Sequence, residues 1–114
     1  MKIGELAKRT GMSAHTLRYY EKIGLIPFAS RDPTGKRDYD ESILGWIAFL
    51  GRLKTTGMPI RNMLRYAELR SLGVDTETER RELLEEHRSQ VKMHIAELQA
   101  CLHILDTKIA DYAG

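Results

Sequence analysis

The stretch Ser13-Ala-His-Thr-Leu-Arg-Tyr-Tyr-Glu-Lys-Ile-Gly-Leu25, "SAHTLRYYEKIGL", decides the fold. Ser13 has the hydroxyl that can accept a bond from a free backbone N–H in the first turn of a helix, and Gly24 with Pro27 marks that helix's end. Leu17, Ile23 and part of Tyr20 form its inward row. That leaves Ser13, His15, Thr16, Arg18 and Tyr19, a set of hydroxyls, an imidazole and a guanidinium, with no place in a core. Two buried aromatics are the plain alternative for the Tyr19-Tyr20 pair.

Working outward, Ile3 to Thr10 has the spacing of a short helix that Gly11 can end in the left-handed conformation. Two short helices joined by Gly-Met-Ser make a helix-turn-helix, whose second helix meets base edges in the major groove. Arg18 can fork onto guanine or clamp a phosphate, and Tyr19 can set its hydroxyl on the backbone. Tyr20 is expected to be half-buried. Next, Asp32-Pro33-Thr34-Gly35 carries the residues of a type I turn, flanked by Arg31, Lys36 and Arg37. A two-stranded wing with a basic tip follows.

Asp40 is expected to cap a third helix through Ile43, Leu44, Ile47, Leu50 and Leu53. Gly57-Met58 breaks that helix, and Pro59 suits the first position of a fourth, through Ile60, Met63, Leu64 and Ala67 to Leu72-Gly73. Lys54, just before the fourth helix, adds a cation near its free N–H groups. Thr76-Glu77-Thr78-Glu79 has the pattern of a capping box. Beyond it Leu84, Val91, Leu98, Leu105 and Tyr112 recur every seven residues, alternating with Arg88, Ile95, Leu102 and Ile109. This 4-3 spacing is a coiled-coil seam. A helix of about 36 residues would be ~54 Å long, too long for its own domain to cover, so a second copy is expected along it. The fold class is mainly α: residues 1–72 as a winged helix-turn-helix with linking helices, and residues 76–112 as a dimerisation helix.

Composition limits the function. The net charge of +2 conceals an asymmetry. Residues 1–56 hold ten Lys/Arg against six Asp/Glu, while residues 57–114 hold eight against ten. The basic excess lies with the helix-turn-helix and favours a polyanion partner. No apolar run approaches a membrane span, and no signal-peptide pattern opens the chain. A single cysteine fits a cytoplasmic protein without disulfides. No phosphate loop, nucleophile elbow or zinc pair is present, so an enzyme is not expected. His87, His94 and Cys101 stand seven residues apart, ~10.5 Å of rise, too far for one chain to hold one ion with them. No metal and no cofactor is expected. Cys101, beside Leu98 and Leu102, is expected to be buried, with a redox role as its alternative.

"IGELAKRTGMSAHTLRYYEKIGLI", "RDPTGKRDY" and "IAFLGRLKTTGMPI" together resemble the MerR family of bacterial transcription regulators across essentially the entire chain. The resemblance implies a homodimer with an antiparallel coiled coil on a promoter pseudo-palindrome, distorting the DNA so that RNA polymerase can use it. It implies DNA contacts from Thr16, Arg18 and Tyr19, with His15 as a specificity residue, and from Arg37, Tyr39 and Arg31 in the wing. Tyr20 and Lys54 are implied as backbone contacts. The cysteines of the family's metal sensors are missing, and neither a metal loop nor a drug-binding domain is expected. "RLKTTGMPI" looks most like the branch associated with aldehyde or electrophile stress. A coiled-coil module whose winged domain binds protein is the alternative, and a small-molecule binding protein a weaker third.

Overall fold

The computed structural model describes residues 1–114. Its elements are α1 (Ile3–Thr10), α2 (Ala14–Ile23), β1 (Ser30–Arg31), β2 (Arg37–Asp38), α3 (Ile43–Thr55), α4 (Ile60–Leu72), a 3-10 turn (Val74–Thr76) and α5 (Glu77–Ala113). The fold is mainly helical, with a two-stranded wing and a long C-terminal helix, as the sequence implies. The chain divides into two compact units, Met1–Arg80 and Arg81–Gly114.

In the first unit, α1 stops where Gly11 turns left-handed at φ 72° and gives its N–H to Ala7. Ser13 then accepts from the Thr16 N–H at 3.1 Å, starting α2 as the sequence indicates. Gly24, at φ 92°, ends α2, and the Leu25 N–H returns to the Tyr20 carbonyl. An L-residue with a side chain would be strained at both glycines, so the angle between α1, α2 and the following loop depends on them.

The core brings together Leu6 of α1, Leu17 of α2, Leu25 and Ile26 of the loop, and Leu50 and Leu69, all almost fully buried. Trp46 of α3 anchors the α3–α4 side. Its Nε1–H donates to the Leu25 carbonyl at 2.8 Å. Tyr66 of α4 lies 5.8 Å from its ring, 14° from parallel, and the Arg70 guanidinium sits 4.4 Å over it.

The wing is pinned at its tip. Strands β1 and β2 are antiparallel, with Ser30 opposite Asp38 and Arg31 opposite Arg37. The Gly35 N–H closes the Asp32–Gly35 turn on the Asp32 carbonyl at 2.9 Å. The Asp32 carboxylate accepts from the Thr34 N–H, the Thr34 hydroxyl and the Lys36 N–H, and pairs with Lys2. The Lys2 ammonium and then the Thr34 hydroxyl hold that carboxyl far below the usual carboxylate range.

Several local expectations are corrected. Asp40 does not cap α3. Its carboxylate accepts from the Ser42 N–H, and its carbonyl from the Ile43 N–H, so it organises the turn before the helix. Pro59 lies one position outside α4, and Ile60 is exposed while Met63, Ala67 and Leu69 face inward. The capping box at Thr76 does not form. The Thr76 hydroxyl shares its one proton between the Leu69 and Gly73 carbonyls, each 2.7 Å away, and accepts from Arg80. A buried threonine oxygen is better satisfied by these fixed partners than by helix N–H groups facing water.

In the second unit, α5 continues without a break to Ala113. Leu84 and Val91 are half-buried, whereas Ile95, Leu98, Leu102, Leu105, Ile109 and Tyr112 are exposed. Contrary to expectation, Cys101 is exposed on the single chain, like its seam neighbours Leu98 and Leu102. No helix is long and apolar enough to cross a membrane.

Candidate nucleic-acid interface

The inward row of α2 holds Leu17 and, four residues on, Glu21, and both are buried. A carboxylate there requires partners, and the wing supplies them. Arg37 Nε–H donates to Glu21 Oε1 at 3.1 Å, the Tyr39 hydroxyl to Oε2 at 3.0 Å, and the Ala29 N–H to Oε2 at 3.3 Å. Residues two apart in an extended segment share a face, so Arg37 and Tyr39 reach the same carboxylate. Helix α2 and the wing are thereby fixed to one another through a single side chain.

Tyr39 is accordingly corrected as a DNA-contact residue. It is 3 % exposed and its hydroxyl is spent on Glu21. Burial, then the bond to Glu21, pushes its phenol up to about 12. Because the folded state holds the proton more tightly than an ordinary phenol near 10, Tyr39 contributes stability in full below pH 10 and loses it as pH rises towards 12. In thermal melts, Tyr39→Phe should lower Tm at pH 8 and reduce the fall in Tm between pH 10 and 12. An unchanged alkaline fall would contradict that role.

The outward face of α2 carries His15, Arg18, Tyr19 and Lys22, all exposed. Together with Phe28 and Arg37 they line one open groove between helix and wing. The groove thus combines three cations, an imidazole and two aromatic rings over a buried carboxylate. Thr16 is half-buried, and its hydroxyl and N–H both engage Ser13. Tyr20 is half-buried as expected, its ring 6.4 Å from that of Tyr19. Arg31 donates to the Gly35 carbonyl at 3.2 Å, and Lys36 is exposed at the wing tip. Lys54 is exposed in the last turn of α3 and is not part of the groove.

Comparison with known proteins gives this arrangement its kinship. Residues 2–39, the two short helices and the wing, match the model described as MerR family regulatory protein. An HTH-type transcriptional regulator of Haemophilus influenzae, itself uncharacterised, is 42% identical over 106 residues, 93% of this chain and 78% of that protein. The chain belongs to the MerR family. Another relative, the HTH-type transcriptional regulator AdhR of Bacillus subtilis, is 39% identical over 80% of this chain and 65% of its own length. Among solved structures, HiNmlR, a MerR family regulator lacking the sensor domain and bound to promoter DNA, superposes with a TM-score of 0.87. It is 40% identical over 97% of this chain and 88% of that one. A MerR family regulator from Listeria monocytogenes superposes with a TM-score of 0.93, at 37% identity, over all of this chain and 86% of that one.

For a MerR chain, three groove residues lay outside the expected contact set: Glu21, Lys22 and Phe28. Glu21 had a signal in the sequence, since an acid four residues after Leu17 falls on the buried row. Phe28, 80 % exposed after Pro27, had none, because only the path of the loop turns it outward. No cluster of three or more His, Cys, Asp or Glu side chains is arranged to hold a metal ion.

Proposed function

We propose that this MerR family regulator binds promoter DNA as a homodimer, with α2 in the major groove and the wing beside it on phosphates. The observation that carries the proposal is the groove holding His15, Arg18, Tyr19 and Arg37 between helix and wing. The promoter complex of HiNmlR, alike over nearly the whole chain, supports it. In this reading residues 1–72 bind DNA and residues 76–112 pair with a second copy in an antiparallel coiled coil. Arg18 and Tyr19 face DNA, His15 tunes sequence preference, and Arg31, Lys36 and Lys54 meet backbone phosphates. Ser13, Thr16 and Tyr20 act by shaping the start and inner side of α2. The protein works without catalysis, in the cytoplasm.

A pseudo-palindromic site follows from the two-fold symmetry of such a dimer. The coil then fixes the distance between two recognition helices, and a small change in that distance alters which DNA shape fits. Bending such a site costs ~1–6 kcal/mol, which phosphate contacts on both subunits offset. RNA polymerase then uses the distorted promoter.

Titrations against DNA from upstream of the protein's own gene test this reading. Six to eight neutralised phosphates would give a slope of roughly −5 to −7 in log K against log salt. Arg18→Ala should weaken specific binding by about tenfold or more, with the far-ultraviolet helical signal unchanged. A salt-independent interaction, or no binding at low salt, would favour the protein-interaction alternative.

A further inference from the structure

A second concavity lies in the first unit, outside the groove between helix and wing. It has a volume of about 620 Å³, is open on one side, and is walled by Ile23, Leu25, Pro27, Trp46, Leu64 and Ala67. That volume is in the range of small-molecule sites, which are mostly apolar with a few placed polar groups. Here the placed group is Arg70. Its guanidinium lies over the Trp46 ring and lines the cavity, yet it forms no ion pair. The two other polar side chains at the wall are already engaged. Glu68 pairs with Arg65 at 3.5 Å, and the Ser71 hydroxyl donates to the Glu68 carbonyl.

We propose that this cavity is a binding site for a small aromatic or apolar carboxylate, its ring among the apolar walls and its carboxylate on Arg70. A guanidinium stacked on an indole is held in one plane and keeps its N–H donors at the edge, the geometry that receives a carboxylate with two parallel bonds. The walls disfavour a fully polar anion such as inorganic phosphate, which would have no apolar part to bury. The C-terminal turn of α2 forms one wall, and the Leu25 carbonyl is bonded to the same Trp46. Occupancy is therefore linked to the seating of α2 on α3 and α4. That link to DNA rests on the function proposed above, whereas the binding itself is independent of it.

Trp46 is the only tryptophan of the chain, so its fluorescence reports this cavity directly. Phenylacetate, phenylacetamide and phenethylamine, alike in shape and differing in charge, are titrated into the full-length protein without DNA. The expected result is a saturable change with phenylacetate at ~1 mM or tighter, in keeping with a ligand of about ten heavy atoms. Affinity for the amide and the amine should be at least about tenfold weaker, the difference a charged bidentate bond makes. Arg70→Gln should abolish the preference for the acid, and Arg70→Lys should restore part of it. Ala67→Leu, which fills the cavity and leaves Arg70 in place, should weaken phenylacetate binding by about tenfold even if Arg70→Gln fails to fold. No saturable change up to ~10 mM, equal affinity for the three probes, or tighter binding of the amine at Glu68 would overturn the proposal. So would full binding by Ala67→Leu. If DNA titrations fail while this fluorescence change stands, the fault lies in the proposed function and not in the site.

Discussion

Replacing Leu98 and Leu102 of α5 together with glutamate is expected to leave a folded monomer that no longer binds its DNA site specifically. Leu98 and Leu102 are 56 % and 57 % exposed on a helix that is otherwise well formed. They belong to a seam of consistent 4-3 spacing from Leu84 to Tyr112. Burying a leucine contributes ~1.5–3 kcal/mol. Two substitutions in each of two chains therefore remove ~6–12 kcal/mol before the cost of burying four carboxylates is counted. Dimer affinity should fall by ~10⁴ or more, well past the micromolar range. Because the altered residues belong to the second unit, outside Met1–Arg80, the melting of Met1–Arg80 should change little. Sedimentation gives the oligomeric state and circular dichroism the fold. A variant that remains dimeric would mean that the seam is not the interface.

Glu21→Leu is expected to destabilise the first unit by ~3–5 kcal/mol, the usual cost of removing one member of a buried charged network. The loss would come from three donors left without their acceptor: Arg37 Nε–H, the Tyr39 hydroxyl and the Ala29 N–H. Glu21→Gln keeps the shape and one carbonyl acceptor but presents an NH₂ to one of these donors, so an intermediate loss is expected. Denaturant unfolding measures both. DNA affinity should also drop by more than tenfold under conditions where the variants are folded, because the wing is no longer fixed to α2. Full DNA affinity in folded Glu21→Leu would show that the helix and wing act independently.

Much of the fold is legible along the chain because its punctuation is local. Gly11, Ser13, Gly24 and the Asp32–Gly35 turn each act within four residues of themselves, and each appears where the sequence places it. Thr76 is the contrary case. Its Thr-x-x-Glu pattern is local, but the Leu69 carbonyl that captures the hydroxyl is seven residues back and is brought near by the end of α4. The exposed face of α2 could be read from Leu17 alone, since fixing one inward residue fixes the helix rotation. What that reading misses is the partner of the inward acid. Arg37 and Tyr39 follow the turn and look like two wing contacts, yet their common face is turned to Glu21, and one of them is buried by it. The likeness of residue type between a phosphate contact and a carboxylate partner hides the distinction until the wing's position is known.

The most direct measurement is a hydroxyl-radical footprint of the full-length protein on the DNA upstream of its own gene, at low and at moderate salt. Promoter binding by a dimer predicts two protected half-sites related by a dyad, in phase on one face of the duplex, fading as salt rises and absent for Arg18→Ala. No protection at low salt, at protein concentrations where the dimer is formed, would contradict it.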